Sequence, residues 1–344
     1  MAGNASLGAA RVAKNDEFYT QWNDIECEMR AYLEYDPDVF RGKVVLLPCD
    51  DPEASNFTKY FALNFNKLGL KKLISTSYAP CRKGRIYVTE QGANLSEECL
   101  KWDYLESDGD FHSEEVTKLR DEADMVITNP PFSLFREFLA WLVEGDVKFS
   151  IIGNKNAITY KEVFPLIKEN RLWVGATGNT TDMVFRVPQG AVVKESDKAK
   201  AARLGYPSTE ATTYTRLGNS CWFTNIKHGR RYEKLKLMTV EENLRSCKYK
   251  AVRENGYQKY DNYDAIEVPY TVAIPSDHGG EMGVPISFLD KYSPEQFEIL
   301  GLANSARHLG PISWRTIIDG RKIYNRILIR HREKAGTKYV EVGG

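Results

Sequence analysis

Four apolar runs of strand length, set apart by stretches with helical patterning, constrain the fold of this 344-residue chain more than any other feature. They are Val44-Val45-Leu46-Leu47 (after Lys43), Leu73-Ile74-Ser75-Thr76, Met125-Val126-Ile127-Thr128 and Phe149-Ser150-Ile151-Ile152. Runs without polar alternation belong to strands buried on both faces. Asn56 to Leu68 has helical spacing through Phe57, Tyr60, Phe61, Asn64 and Leu68, and Ser133 to Leu142 reads as an amphipathic helix. Ahead of them, Asn15 to Tyr32 reads as a polar entry followed by a helix with Trp22, Ile25, Met29 and Tyr32 on one side. This rhythm predicts an α/β fold, with a mostly parallel sheet covered by helices.

Beyond residue 170 the pattern changes. Arg171 to Val174, Met183 to Val187 and Cys221 to Asn225 read as strands joined by long polar loops, as in a sheet that ends in antiparallel strands. Arg85 to Val88 reads as a strand in an excursion from the main sheet, and Lys194 to Pro207 as an exposed insertion. Ser293-Pro294-Glu295-Gln296 has the chemistry of a helix start, which predicts a helix through Phe297, Ile299 and Leu300. Asp319-Gly320 predicts a hairpin turn leading into Ile323 to Ile329.

No apolar run approaches the length of a membrane span, and no charged-then-apolar leader is seen; Met1 to Val12 reads as a frayed terminus. The six cysteines show no C-x-x-C spacing and no paired histidines, which argues against a zinc site or a disulfide framework and for a reducing cytosol. Lys and Arg balance Asp and Glu at 47 each, so no global basic field announces nucleic acid. The charge is uneven, however. Lys227 to Arg253 is mostly basic, and so is the tail through Arg321, Lys322, Arg326, Arg330, Arg332, Lys334 and Lys338. That asymmetry fits a phosphate-facing C-terminal part, or a solvated basic face.

The chemistry concentrates at Asn129-Pro130-Pro131-Phe132, where the third strand ends and a helix follows. Carboxyl edges of open α/β sheets are where ligands bind. Asn129 offers an amide oxygen, Pro130 a carbonyl on a stiffened turn, and Phe132 a flat face for a planar ring. Two acceptors and a stacking face suit an exocyclic amine on a nucleobase such as adenine. A double proline after Asn can also simply end a strand, with Phe132 in the core. One helix upstream, Asp110-Phe111 within Asp108-Gly109-Asp110-Phe111 places a carboxylate and an aromatic that can accept from an adenine amine and flank its ring, or forms an ordinary Gly-Asp turn. At the end of the first strand, Cys49-Asp50-Asp51-Pro52 places carboxylates where an ammonium or ribose hydroxyls could be received. The same loop lacks the glycines of a pyrophosphate cradle. A nucleoside cofactor without pyrophosphate suggests S-adenosylmethionine. Pro48-Cys49 and Pro80-Cys81 lie away from the Asn129 strand end, so neither reads as a cytosine-C5 nucleophile.

On these residues the chain resembles the EcoRI-type adenine-specific DNA N6-methyltransferases. Matching stretches include Lys14 to Gln21, Cys49 to Pro52 with Ser55-Asn56-Phe57, Lys59 to Ala62 and Gly69 to Ile74. Gly109-Asp110-Phe111, Thr128 to Arg136, Ile158 to Phe164, Tyr260 to Ile266, Met282 to Ile286 and Pro294 to Glu298 continue the match. The resemblance implies a Rossmann-like class I S-adenosylmethionine-dependent methyltransferase fold, with antiparallel C-terminal strands and a smaller target-recognition region. The implied division is a flexible terminus over 1–13, a catalytic domain over 14–228 and a target-recognition, DNA-binding region over 229–344.

By the same resemblance Phe18, Tyr19 and Thr20 pack beside the methionine end of the cofactor, and Cys49, Asp50, Asp51, Asp110 and Phe111 hold the rest of it. Asn129 and Pro130 hold the target amine, Pro131 completes the motif, and Phe132 stacks on the base. The order of motifs is the γ arrangement of amino-methyltransferases. Arg321, Lys322, Arg326 and Arg330 are the expected DNA-facing cations. Implied partners are double-stranded DNA and a cognate restriction endonuclease acting on the same sequence without direct contact. A monomeric, cytoplasmic, bacterial or phage-encoded enzyme without metal is expected. The chain departs from the wider pattern in two places. Phe-Tyr-Thr-Gln stands where many such enzymes have Phe-x-Thr-Pro, and Cys-Asp-Asp-Pro where they have a glycine-rich loop. Similarity weakens over 76–107 and 176–220, the natural places for altered DNA contacts. Rival readings are a methyltransferase for RNA or a protein glutamine, and a non-catalytic DNA-binding relative.

Overall fold

The computed structural model describes residues 18–92, 101–177, 182–303 and 315–332. The terminus expected over 1–13, the matching stretch from Lys14 to Glu17, Cys99, Lys334 and Lys338 lie outside the described residues. The chain divides into two compact units, Met1–Ala157 with Leu172–Gly229, and Ile158–Arg171 with Arg230–Gly344.

The first unit begins with β1 (Tyr19–Thr20), α1 (Trp22–Tyr35), β2 (Val44–Leu47), α2 (Asn56–Leu63), α3 (Phe65–Leu68) and β3 (Lys72–Thr76). It continues with β4 (Arg85–Glu90), β5 (Asp103–Tyr104), α4 (Glu114–Glu122), β6 (Met125–Thr128), α5 (Phe135–Glu144) and β7 (Lys148–Asn154). It closes with β8 (Trp173–Val174), β9 (Met183–Val187), α6 (Glu195–Arg203), β10 (Thr213–Leu217) and β11 (Ser220–Thr224).

Eight strands form one sheet in the order β5-β4-β3-β2-β6-β7-β11-β8. The central four, β3, β2, β6 and β7, run parallel, and every residue of β2 and β6 is buried, so both faces are covered. Antiparallel pairing is found at both ends of the sheet, not only at the C-terminal end. β4 is therefore no excursion. Its register sets Ser75 opposite Tyr87, and Tyr87 and Thr89 are buried on the sheet. A second sheet, β1-β9-β10, pairs the start of the described chain with strands made far later.

Packing explains these elements. Ile25, Met29 and Tyr32, on one stripe of α1, meet Phe57, Phe61 and Phe65 of α2 and α3 in one apolar cluster with Val45, Leu47 and Trp222. Each fully buried aromatic of this kind contributes about 1.5–3 kcal/mol. The expected single helix from Asn56 to Leu68 is broken at Asn64, whose side chain donates back to the Tyr60 carbonyl at 2.9 Å. Buried Glu28 on α1 accepts from Tyr32 Oη (2.6 Å), the backbone N–H groups of Ala176 and Thr177 (2.8 Å each) and Thr177 Oγ1 (2.6 Å). That carboxylate ties the turn after β8 to α1. The stretch expected as an exposed insertion contains α6, which buries only Ala201.

The second unit carries β12 (Ala265–Glu267), β13 (Glu281–Pro285), β14 (Phe297–Ala303), β15 (Ile317–Ile318), β16 (Arg321–Lys322) and β17 (Arg326–His331). Its main sheet has the order β12-β13-β17-β14. Residues 158–171, assigned from sequence to the catalytic part, belong here, with Phe164 and Ile167 buried. The helix expected through Phe297 is instead strand β14. Ser293 does begin a turn, accepting from Gln296 N at 3.1 Å and Phe297 N at 3.0 Å. The turn does not propagate, because Phe297 and Ile299 find a strand partner in His331 and Ile329 and are buried in that register. Tertiary pairing outweighs local capping chemistry. β15 and β16 form the expected hairpin, with Asp319 (φ 49°) and Gly320 (φ 71°) both left-handed at its turn.

Candidate active site

The order of the central strands sets the site. β2 has β3 on one side and β6 on the other, so the chain leaves its sheet in opposite directions at this point and opens a crevice beyond the carboxyl ends. A cavity of about 620 Å³ lies there, within the usual range for a small-molecule site. Every residue singled out above for catalysis or cofactor binding lines it, except Pro130 and Phe132. Pro130 is buried, whereas Pro131 faces the cavity.

The loop after β2 is held from within. Asp50 is buried; its Oδ1 accepts from Ser55 Oγ and its Oδ2 from Thr128 Oγ1, both at 2.6 Å. Burial pushes this carboxyl up to about 7, against the lowering effect of the two hydroxyl donors. Asp51 turns Oδ1 back to the N–H groups of Glu53 and Ala54 at 3.0 Å, and its Oδ2 lies 3.3 Å from Arg85. Arg85 also bonds Glu53 at 2.8 Å and lies over Trp102. Burial first, and then the charge of Asp50, holds the Cys49 thiol well above its ordinary range, so it remains protonated and non-nucleophilic. Opposite, Gly109 has φ 81°, and a Cβ there would collide with the Ser77 carbonyl. Asp110 beyond it accepts from the His112 N–H at 2.9 Å.

The other wall is Asn129, which follows β6. Its Nδ2 donates to the Phe18 carbonyl at 2.5 Å, which fixes the orientation of the amide. Its Oδ1 is buried with no hydrogen-bond partner among the described residues. A buried acceptor left unmatched costs about 1–3 kcal/mol, and here it belongs to a residue of the cavity wall. The chain around β1 is held at two points: Asn129 binds the Phe18 carbonyl, and Asn56, the first residue of α2, binds the Thr20 carbonyl at 2.7 Å. The outer edge of β1 pairs with β9, Tyr19 against Arg186 and Thr20 against Phe185.

Three phenylalanines meet beside Asn129. Phe132 packs 5.5 Å from Phe18 and 6.4 Å from Phe185, centroid to centroid. Phe111 touches the cavity but also packs among Phe138, Trp141 and His112. Sequence reading missed Arg186, which lines the cavity with its guanidinium 4.7 Å from the Tyr19 ring. It also missed Ser55 and Thr128, the hydroxyls on Asp50. The cap position of Ser55 before α2 was a usable signal, since its oxygen accepts from Phe57 N and Thr58 N. The position of Arg186 gave none, because it depends on the β1–β9 pairing.

The four expected DNA-facing cations lie in the second unit. Arg321 and Lys322 are exposed on β16. Arg330 is half-exposed and bonds Glu298 at 2.8 Å. Arg326 is nearly buried and grips Glu267 through Nε (2.9 Å) and Nη2 (2.6 Å), while Tyr260 Oη donates to the same carboxylate at 2.5 Å. Among the described residues no cluster of metal-ligating side chains is found, and no helix is long and apolar enough to cross a membrane.

The family model described as "Adenine-specific methyltransferase EcoRI" matches residues 6–338. The chain is 41% identical over 343 residues to the type II methyltransferase M.EcoRI of Escherichia coli, covering 96% of this chain and 98% of the relative. It is 33% identical over 335 residues to the type II methyltransferase M.MpnI of Mycoplasma pneumoniae, covering 94% and 97%. No solved structure matches the chain.

Proposed function

Because the chain belongs to the EcoRI family of adenine-specific methyltransferases, we infer that it is an adenine-specific DNA methyltransferase of the type II, restriction–modification kind. We propose further that the methyl acceptor is adenine N6 and the donor S-adenosylmethionine, with the first unit built as a class I methyltransferase domain. The observation that carries the site assignment is the buried Oδ1 of Asn129, without a partner among the described residues, on a residue that lines the cavity.

The residues present fit that donor. The loop after β2 has carboxylates and no glycine-rich phosphate cradle, as suits a nucleoside carrying an amino acid rather than a pyrophosphate. Phe18, Tyr19, Thr20, Cys49, Asp51, Asp110 and Phe111 would hold it; Asp50, expected among them, lines the same cavity with both carboxylate oxygens already engaged by Ser55 and Thr128. When bound, it supplies an electrophilic sulfonium methyl group.

The protein's own work is to prepare the amine. The N6 lone pair is delocalised into the adenine ring and is a weak nucleophile. Asn129 Oδ1 and the Pro130 carbonyl accept the two amine hydrogens and favour the tetrahedral geometry in which the lone pair is available. Phe132 and Phe18 supply flat faces for the ring. The base reaches them by rotating out of the duplex, at a cost of roughly a few kcal/mol that stacking and hydrogen bonds offset. Holding donor and amine in line supplies much of the acceleration, and no covalent enzyme intermediate is required. DNA is the substrate, Arg321, Lys322 and Arg330 are proposed to face its phosphates, and Arg326 orders the sheet beneath them. A cognate endonuclease reads the same site, and the methyltransferase acts as a monomer.

The test is direct. Incubation with duplex DNA and cofactor, followed by base-resolved mapping, yields N6-methyladenine at one sequence. Asn129→Ala loses on the order of 10² or more in kcat, the scale for removing one preorganised active-site hydrogen bond, and keeps its cofactor affinity. Full activity in that variant sinks the site assignment; modification of RNA or protein alone sinks the substrate.

A further inference from the structure

We propose that Asp50 is a positioning residue for Asn129, and that its carboxylate fastens the loop facing the cofactor to the strand end presenting the catalytic amide. The proposal rests on the reading of Asn129 as the residue that holds the target amine.

Asp50 is 5% exposed, and both of its oxygens are engaged by hydroxyls of the protein. One belongs to Thr128, fully buried and one peptide unit before Asn129. The other belongs to Ser55, whose oxygen already accepts from Phe57 N (3.0 Å) and Thr58 N (3.4 Å), which leaves its hydrogen for Asp50. The backbone of Asp50 is engaged as well: its N–H donates to the Thr76 carbonyl at 2.9 Å, and its carbonyl accepts from Ser75 Oγ at 2.5 Å. One residue therefore joins the ends of β2, β3 and β6 to the start of α2. A ligand pressing on the loop after β2 moves Asp50, Asp50 moves Thr128, and Thr128 carries Asn129. The carboxylate serves the cofactor site through its shape, and the base site through Thr128.

Thr128→Val separates this role from others, because it keeps volume and branching and deletes the hydroxyl. Losing a hydrogen bond to a charged group, at about 1.5–3 kcal/mol, corresponds to roughly a 10-fold or greater fall in kcat if the loss is felt at Asn129. Full-length wild type, T128V, T128S and D50N are compared by steady-state methylation of a duplex carrying the site. Cofactor affinity is read by calorimetry with S-adenosylhomocysteine as the probe. The expected result is a fall in kcat of about that size for T128V and D50N, unchanged affinity for the probe, and near-complete recovery in T128S, which restores the hydroxyl. Weakened probe binding in D50N with T128V at wild-type kcat overturns the proposal in favour of a direct ligand role. Loss of thermal stability alone, with kcat per folded molecule unchanged, overturns it in favour of a purely structural one. Failure of the functional reading is distinguishable, since wild type would then methylate no adenine in DNA at all.

Discussion

Asn129 uses only half of its amide within the fold: its nitrogen holds the Phe18 carbonyl, and its oxygen has no hydrogen-bond partner among the described residues. At two carboxyls of the first unit burial dominates charge. Asp50 is pushed up to about 7, and Asp24, which accepts from the Val184 N–H, up to about 6, in both cases chiefly by burial. A carboxyl whose value is raised in the fold binds its proton on folding. The stability it contributes is full below the ordinary value of 3.8 and is lost as pH rises through about 6 for Asp24 and about 7 for Asp50. Asp51 adds to the rise at Asp50 through its charge, and Asp50 in turn raises the neighbouring Cys49 thiol. The expected outcome is that Asp50→Asn melts with a shallower loss between pH 5 and 8 than wild type, as read by thermal denaturation across that range. Parallel melting curves would count against the assigned direction. At this scale residue type was enough to single out Asn129 and Asp110, and both line the cavity. It was silent on Thr128, whose task is defined only by the carboxylate folded against it.

At the scale of elements, the strands legible in sequence were those with one possible environment. β2, β3, β6 and β7 are short apolar runs that only a doubly covered sheet accommodates. β14 was illegible because Ser293 to Gln296 carries helix-start chemistry, and the alternation of Phe297 and Ile299 matters only once β17 lies beside it. β4 lacked any cue that it joins the main sheet antiparallel. In the second unit the ion pair of Arg326 with Glu267 is nearly buried, and Gly283 leaves room for the Tyr260 hydroxyl that completes it. Removing one partner of such a pair leaves the other charge buried alone. Arg326→Ala is therefore expected to cost about 3–5 kcal/mol in denaturant unfolding. Arg321→Ala, on an exposed hairpin, should stay within about 0.5 kcal/mol of wild type.

For the whole molecule, formal net charge is zero, so attraction to DNA depends on where cations lie rather than on how many there are. If Arg321 and Lys322 each neutralise a phosphate, replacing both by Ala lowers the salt-dependence slope of binding by about 2. An unchanged slope in a titration of affinity against salt would remove this hairpin from the phosphate face. The division of the chain, with residues 158–171 in the second unit, was not readable in advance because it follows burial of Phe164 and Ile167 rather than any composition shift. The pairing of β1 with β9 has a further consequence, in time. Tyr19 leaves the ribosome long before Arg186, its partner across the sheet, has been synthesised. A nascent chain thus holds its catalytic loop and its first strand without the edge that completes them, and the site closes only after β9 emerges. Premature termination between Asn129 and β9 releases a fragment that carries Asn129 and lacks the strand that pairs with β1.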